Sequence, residues 1–286
     1  MKIAVLGLGS IGLRHAKNLR KLGADVIGYD IDEMKQREFQ GKVVSRNFAL
    51  EQCEAVLSAT PTEQHMHDYM SIGVKPLFME KPMFNKLERP EEFYRDDFKT
   101  QKVWVGYMLR FHPCVRFAAD KIASGQIGKP LWATFIVSQL NTKYTDSVVL
   151  NWSHEIDLAL HLFGPAQVLC ASVKTEEEVD VIADFVLEHI TGVRSTIHMD
   201  YVTKQEIREF WIAGTERNVG ADLVGRSTVW GRSYEVHSGS WDGDYFNEMA
   251  AWMKVLEGKE ESFLATGQDG VDVVRICEQV KEMASR

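Results

Sequence analysis

The sequence predicts an α/β protein in two parts. The first is a doubly wound parallel sheet, and the second is an α+β region with a large open, mostly antiparallel sheet. Up to about residue 110, short apolar runs alternate with helical patterns, as parallel strands joined by crossover helices require. Beyond residue 113, long extended runs follow one another with few helices between them, which is typical of antiparallel or mixed sheets. We therefore predict two domains, residues 1–112 and residues 113–286.

Composition and charge exclude several classes of protein. A chain of 286 residues with 45% hydrophobic and 26% charged residues is expected to be soluble, globular and long enough for two cores. The net charge of -8 argues against a nucleic-acid surface, and no apolar run approaches the roughly 18 residues of a membrane helix. The first strand is predicted to begin at Lys2, so we expect no signal peptide. Four scattered cysteines without a Cys-x-x-Cys pair predict free thiols in the cytoplasm.

The first motif lies between the strand Lys2–Leu6 and a helix predicted over residues 13–22. It reads Gly-x-Gly-x-x-Gly and comprises Gly7, Leu8, Gly9, Ser10, Ile11 and Gly12. The first glycine allows a tight turn, the second lets the backbone approach a pyrophosphate, and the third lets the helix pack close to the strand. The free N–H groups of the helix N-terminus attract phosphates. Strand, glycine turn and helix in this order predict a Rossmann domain that binds a dinucleotide, against the alternative of a glycine-rich turn in an unrelated α/β protein.

The next strand, Asp25–Tyr29, ends at a carboxylate that can accept a hydrogen bond from a ribose 2′-hydroxyl. Asp30 and Asp32 place two acidic groups there, and no Arg or Lys follows before Lys35. A 2′-phosphate would meet like charge at this position without an obvious partner. The pattern predicts NAD as the cofactor and makes NADP less favourable.

Three further strands are predicted in this half, over residues 55–59, 76–79 and 102–107. Polar residues follow two of them, Thr60-Pro61 and Glu80-Lys81. Ligands of open parallel sheets bind beyond the carboxyl ends of the strands, where the glycine motif and Asp30 also fall. Lys81 is therefore a candidate catalytic residue beside the expected nicotinamide, although a lysine at a strand end is more often a solvated charge.

The second half is predicted to be one sheet with a few helices. Helices are expected over residues 114–124, 148–163, 245–256 and 270–283, and extended runs over residues 131–140, 167–174, 179–188, 193–201, 207–213, 218–224 and 227–236. Helices can cover only one face of such a sheet. Neighbouring residues of a strand point to opposite faces, so Phe210 and Trp211 cannot both be in the core. A large aromatic side chain on the outer face predicts contact with a second copy of the chain, in a homodimer or homotetramer, against the alternative of a monomer with scattered surface aromatic residues.

The helix that contains His154, Asp157 and His161 carries the second set of candidate residues. Their spacing of three and four places them on one helix face. They can form an acid/base face that opens on a cleft, or the histidines can be satisfied structural residues. Two histidines and an aspartate can also bind zinc, but no further ligand cluster accompanies them, so we predict no metal.

These motifs together resemble the Gfo/Idh/MocA family of NAD(P)-dependent sugar oxidoreductases. The resemblance rests on their order: the glycine motif, Thr60-Pro61 with His65, Glu80-Lys81-Pro82, residues 106–113 and the Asp157-x-x-x-His161 helix. It implies Lys81, Asp157 and His161 as catalytic residues and a cis Lys81–Pro82 bond. It implies Arg110 and His154 as substrate contacts. The implied cofactor contacts are Gly7, Gly9, Ser10, Ile11, Gly12, Asp30, Thr60, Pro61, His65, Glu80 and Lys81.

The reaction implied is reversible oxidation of a secondary alcohol of a sugar, a cyclitol or a modified amino or nucleotide sugar. His161 is the expected base, because an imidazole with an ordinary pKa of about 6.5 suits proton transfer near neutrality. Many family members carry a glycine run before the Asp/His helix, but residues 140–152 form a short loop without glycine, and the segment from Lys81 to about Gln101 is compact. These departures leave the substrate open. They also leave an alternative, a non-catalytic sensor that binds NAD and a sugar.

Overall fold

The chain, seen in a computed structural model that describes residues 1–39, 41–99, 102–139 and 147–285, divides into two compact units. The first comprises Met1–Met108 with Trp241–Val271, and the second comprises Leu109–Ser240 with the residues from Asp272 onward. The predicted fold class is confirmed. The sequence does not indicate that residues 241–271 pack with the first unit. The functional division at residue 112 stays a prediction.

The first unit is built on a seven-stranded sheet. Its strands are β1 (Lys2–Leu6), β2 (Asp25–Tyr29), β3 (Lys42–Val43), β4 (Ala55–Ser58), β5 (Leu77–Met79), β6 (Val103–Val105) and β15 (Ala265–Thr266). They lie in the order β15-β6-β5-β4-β1-β2-β3, and all pairs are parallel except β15 with β6. Residues 3–6 of β1 and all of β4 and β5 are buried, which explains why these strands are near-continuous apolar runs.

Helices surround this sheet. They are α1 (Ser10–Lys21), α2 (Glu33–Glu38), α3 (Arg46–Gln52), α4 (Thr62–Ile72), α5 (Glu91–Asp97) and α9 (Trp241–Leu256). α1 buries His15, Ala16 and Leu19, and α9 packs against it. The helix predicted over residues 245–256 therefore begins four residues earlier, and it belongs to the first unit.

The second unit is built on an eight-stranded sheet. Its strands are β7 (Pro130–Ser138), β8 (Ala166–Glu176), β9 (Val179–His189), β10 (Arg194–Asp200), β11 (Ile207–Gly214), β12 (Asn218–Asp222), β13 (Ser227–Trp230) and β14 (Ser233–Val236). They lie in the order β14-β13-β12-β11-β7-β10-β9-β8, and only β7 with β10 is parallel. The single run predicted over residues 227–236 is two strands, because the chain turns at Gly231 with a φ of +63°.

The helices of the second unit are α6 (Pro113–Ala123), α7 (Val148–Asn151) and α8 (Ser153–Phe163), with most of α10 (Gly267–Ala284). The helix predicted over residues 148–163 is interrupted at Trp152. Among the described helices, none has the length and apolarity needed to cross a bilayer.

The two faces of the second sheet differ as the alternation of residues predicts. Ile197 and Met199 of β10 are buried, whereas Arg194 and Thr196 are exposed. On β11, Phe210 is 1% exposed and Trp211 is 42% exposed, which confirms that the two aromatic residues face opposite sides. The outer face is polar but carries large aromatic groups.

His112 caps α6 and makes the stability of the chain depend on pH. Its Nδ1 accepts a hydrogen bond from the Cys114 N–H at 3.3 Å, and the ring is fully buried. Burial, and then the positive charge of Arg226, lower the pKa of His112 to about 3. Because the ordinary pKa is about 6.5, the unfolded chain binds more protons than the native chain between those two values. Stability is therefore lost as the pH decreases from about 6.5 toward 3.

We expect the His112→Asn variant, which keeps a capping side chain without a titrating group, to be less sensitive to acid. From pH 7 to pH 5 the wild type should lose about 2 kcal/mol more of its unfolding free energy than the variant. Urea titrations at both pH values measure this difference. His67→Asn at an exposed histidine is the control, and an equal loss in wild type and His112→Asn would contradict the expectation.

Candidate functional site

The glycine motif forms a tight turn between β1 and α1. Gly7 has a φ of +84°, and a Cβ added there would lie 2.4 Å from the Ala59 carbonyl oxygen. A Cβ on Gly12 would lie 1.9 Å from the Gly7 carbonyl oxygen, so only glycine allows α1 to pack this close to the turn. A Cβ on Gly9 would meet no atom within 4 Å. Gly9 is also the N-cap of α1 and has no side chain to cover the helix N-terminus. The residues present therefore fit a phosphate group at this turn.

Asp30 holds the same turn from the end of β2. One oxygen of its buried carboxylate accepts the Leu8 N–H at 2.6 Å, and the other accepts the Asp32 N–H at 2.9 Å. The Gln36 side chain donates to the Asp30 carbonyl oxygen at 2.7 Å. The carboxylate predicted to bind a ribose is thus also a fixed part of the glycine turn. An ionised carboxylate has about four acceptor sites, so these two bonds leave acceptor capacity for a hydroxyl.

Thr60 is positioned by a buried aspartate that the motif analysis does not identify. The Asp68 carboxylate of α4 accepts hydrogen bonds from the hydroxyl groups of Ser58 and Thr60, each at 2.7 Å. It also forms an ion pair with Arg46 at 2.8 Å. Pro61 follows as the N-cap of α4. The end of β4 is therefore tied to the helix that follows it.

His65 joins two loops at this edge of the sheet. Its Nε2 lies 3.0 Å from the Thr60 carbonyl oxygen, and its Nδ1 lies 3.0 and 3.1 Å from the carbonyl oxygens of Pro82 and Met83. Burial lowers the pKa of His65 below its ordinary value. The Lys81–Pro82 bond is cis, which confirms that prediction. His65 is 1% exposed, and its ring nitrogens lie at hydrogen-bond distance from backbone oxygens. The predicted contact between His65 and the cofactor stays a prediction.

Glu80 precedes Lys81, and its carboxylate is buried next to His15 and Gly106. Its Oε1 lies 2.6 Å from Nε2 of His15, and its Oε2 accepts the Lys81 N–H at 3.1 Å. A Cβ on Gly106 would lie 2.9 Å from Glu80 Oε1, so a glycine is needed there to make room for the carboxylate. Glu248 of α9 is buried beside this pair. Lys81 itself is half-buried.

In the second unit, Asp157 and Arg110 form a buried ion pair. The Arg110 Nη2 lies 2.6 Å from Asp157 Oδ1, and Nε lies 3.1 and 3.0 Å from the two carboxylate oxygens. Asp157 is 0% exposed and Arg110 is 2% exposed. Both residues are predicted separately as site residues from the sequence, and no sequence pattern indicates the pair. The predicted substrate contact of Arg110 stays a prediction.

The remaining predicted residues of this unit lie on the same helix. His154 is buried near the start of α8, and His161 is half-buried in its last turn. Glu155, which the sequence analysis leaves unassigned, pairs with Arg208 of β11 at 2.7 Å and thereby joins α8 to the sheet. Part of the predicted substrate loop, residues 140–146, lies outside the described residues. α8 thus combines a buried acidic residue with an accessible imidazole one turn later.

Two family models match parts of the chain. Residues 115–219 match the model of the GFO/IDH/MocA C-terminal domain family. The second half of the chain is thus similar to the C-terminal domain of the Gfo/Idh/MocA family. Residues 1–72 match a second model, described as the NAD binding domain of D-isomer specific 2-hydroxyacid dehydrogenases. The two matches fall in the two predicted domains, residues 113–286 and residues 1–112.

Three similar proteins illustrate the range of this Gfo/Idh/MocA likeness. A scyllo-inositol 2-dehydrogenase (NAD(+)) of Bacillus subtilis (strain 168) is 30% identical over 189 residues, which cover 57% of the chain and 54% of that protein. A myo-inositol 2-dehydrogenase of Thermotoga maritima is 23% identical over 94% of the chain and 92% of its own length. The structure of a levoglucosan dehydrogenase in complex with NADH has a TM-score of 0.85 at 16% identity, covering 100% and 97% of the two chains. At that identity the structural likeness shows the fold alone, and the chain spans about half the length of the Bacillus relative.

Proposed function

We propose that the chain is an NAD-dependent oxidoreductase that transfers hydride between nicotinamide and a secondary alcohol of a sugar, a cyclitol or a modified sugar. The observation that carries the proposal is the glycine turn, where Gly9 leaves open space over an α1 N-terminus without a side-chain cap and Asp30 holds the turn. In this proposal residues 1–112 bind the cofactor and residues 113–286 bind the substrate. Four cysteines without a disulfide support a reducing, cytoplasmic location.

NAD supplies the hydride acceptor when it is bound, and the residues of the chain supply the remaining chemistry. The hydroxyl proton must leave as the carbon loses hydride, so a base within hydrogen-bond reach is required. We assign this base to His161. Lys81 donates a hydrogen bond to the reacting oxygen and stabilises the charge that develops on it. Asp157, one helical turn before His161, is fixed by Arg110 and orients the acid/base face of α8.

Relatives support a polyhydroxylated substrate. The Bacillus subtilis and Thermotoga maritima relatives are named for inositols, and the solved relative for levoglucosan. Each of these names refers to a compound with several secondary alcohols on a ring. An inositol is therefore the first candidate substrate, and amino and nucleotide sugars come next.

Nicotinamide absorbance tests the proposal directly. Purified chain is mixed with NAD and a panel of inositols and sugars, and the Lys81→Ala variant is run beside it. We expect reduction of NAD by at least one compound in the wild type and a large loss of rate in the variant. Calorimetric binding of NAD without turnover of any compound would contradict the enzymatic proposal and favour a sensor.

We expect the chain to bind NAD at least about 100-fold more tightly than NADP, because the Asp30 carboxylate repels a 2′-phosphate. Asp30→Asn keeps the size of the side chain and one acceptor oxygen but removes the charge, so it should narrow this preference. Calorimetry with both cofactors measures the ratio. Asp25→Asn, at the opposite end of β2, is the matched control, and equal affinities in the wild type would refute the assignment.

We further propose that the outer face of the second sheet joins copies of the chain into a dimer or tetramer. Trp132 is 48% exposed and Trp211 is 42% exposed, and the register places them on neighbouring strands of that face. The Trp211 indole lies over Gly220, since a Cβ added to Gly220 would lie 2.6 Å from that ring. The outer face therefore carries a flat aromatic surface at this position. Light scattering at micromolar concentration should give a multiple of the 32.5 kDa chain mass, and a monomer mass with or without NAD would refute the proposal.

A further inference from the structure

A buried cluster of three residues in the first unit includes Glu80, the residue that precedes Lys81. It consists of His15 on α1, Glu80 at the end of β5 and Glu248 on α9, whose ligand-type atoms all lie within 4.8 Å of one another. All three residues are buried. No motif in the sequence connects them. The distance of 2.6 Å between His15 Nε2 and Glu80 Oε1 is that of a strong hydrogen bond, so a proton lies between imidazole and carboxylate.

We propose that His15 is a positioning residue for Lys81 and acts through the Glu80 carboxylate. This inference rests on the catalytic role assigned to Lys81 under the proposed function. His15 fixes one oxygen of Glu80, and the other oxygen accepts the Lys81 N–H at 3.1 Å. A chain of two hydrogen bonds thereby runs from the helix that carries the glycine turn to the backbone of Lys81.

The His15 ring has little freedom to move. It is 0% exposed, and its edges pack against the rings of Phe78 and Tyr245, with centroids 5.7 Å away in each case. A ring held in this way fixes the direction of its Nε2. The rotamer of Glu80 is then determined by the imidazole rather than by solvent.

Glu80 is held on its remaining sides by the sheet. Its own N–H donates to the Ser58 carbonyl oxygen at 2.9 Å, which anchors the residue to β4. Gly106 leaves the space that the carboxylate occupies. The backbone of Glu80 is thus anchored and the space for its side chain is defined. The hydrogen bond from His15 then sets the orientation of the carboxylate, so that the other oxygen reaches the Lys81 N–H.

The same helix therefore serves two parts of the proposed reaction. Residues 10–12 begin α1 at the glycine turn, and His15 lies one turn further along. A substrate oxygen must meet Lys81 in register with the nicotinamide ring, and misplacement by about 1 Å can lower a rate about 100-fold. Anchoring Lys81 to α1 keeps the lysine in register with the helix that holds the cofactor phosphates.

Amide hydrogen exchange at Lys81 tests the inference without any substrate. In His15→Phe, which keeps an aromatic ring but removes the nitrogen, the Lys81 N–H should exchange about 2- to 10-fold faster than in the wild type, because its acceptor is released. His15→Asn breaks the same bond without adding volume, and it serves if the Phe variant does not fold. His189→Phe replaces an equally buried histidine in the second unit and should leave this exchange unchanged.

Kinetics on the same variants separate positioning from general damage. We expect kcat to fall about 10- to 100-fold in His15→Phe while the Kd for NAD stays within about twofold. His15→Gln should recover part of the loss, because its amide can reach the Glu80 carboxylate. Unchanged exchange at Lys81 in both the Phe and the Asn variant would overturn the inference, whatever the rates. Faster exchange with a wild type that turns over no compound would leave the positioning intact and refute the proposed function instead.

Discussion

Replacing His161 by glutamine is expected to lower kcat by a factor of about 10²–10⁴. His161 is half-buried in the last turn of α8, one turn after the fully buried Asp157, and it is the group assigned to take the hydroxyl proton. Glutamine keeps a polar side chain of similar reach but has no basic nitrogen. The affinity for NAD should not change, because the cofactor contacts assigned to the chain lie in residues 7–81.

Steady-state rates and calorimetry with NAD measure the two quantities separately. His237→Gln is the matched control, since His237 lies in the same unit and hydrogen-bonds Thr228 rather than any assigned residue. It should retain wild-type turnover. If His161→Gln also retained full turnover, the base would have to be another group, and the acid/base assignment of α8 would be wrong.

The sheet of the first unit was predictable because its strands are buried on both faces. β1, β4 and β5 are therefore short apolar runs, and the polar residues that follow them mark the candidate functional edge. The glycine spacing adds a steric demand that only one residue type meets, because a Cβ added to Gly12 would lie 1.9 Å from the Gly7 carbonyl oxygen. The cis bond before Pro82 followed from family resemblance and not from any local pattern.

Short elements were missed for a physical reason. α2 buries no residue and α3 buries only Ala49, so neither carries an apolar stripe that a periodicity analysis can detect. β15 has two residues, and it joins the sheet by pairing with a strand about 160 positions earlier. Length and sequence separation, rather than unusual chemistry, concealed these elements.

The polar pairs at the sites could not be predicted from spacing. Arg110 and Asp157 are 47 positions apart, and His15 and Glu80 are 65 positions apart. Each residue alone fits an ordinary surface or helical position. The two members of each pair are brought together and buried only in the folded chain. Burial lowers the local dielectric and so strengthens the hydrogen bonds between them. The sequence thus indicates candidate reactive residues more readily than the residues that would hold them.

Replacing Arg110 by methionine is expected to lower the unfolding free energy by about 3–5 kcal/mol, because it leaves the Asp157 charge buried without its guanidinium. Three contacts of 2.6 to 3.1 Å join the two side chains, and neither is more than 2% exposed. Methionine keeps an unbranched apolar stem but lacks the volume of the guanidinium, so a second variant is needed to separate the lost charge from the cavity. Urea titration followed by the fluorescence of the tryptophans gives the free energies.

The double variant Arg110→Met/Asp157→Leu tests whether the loss of unfolding free energy in Arg110→Met comes from the buried charge that remains on Asp157. Removing both charges should recover most of the stability, since replacing a buried pair by apolar residues is often close to neutral. Arg37→Met is the matched control, because Arg37 pairs with Glu33 at 3.9 Å on the exposed surface of α2, and the loss of that pair should cost no more than about 1 kcal/mol. A double variant as unstable as Arg110→Met alone would mean that packing, not charge, holds α8. Recovery of stability without recovery of turnover would show that the pair is retained for the reaction and not for the fold.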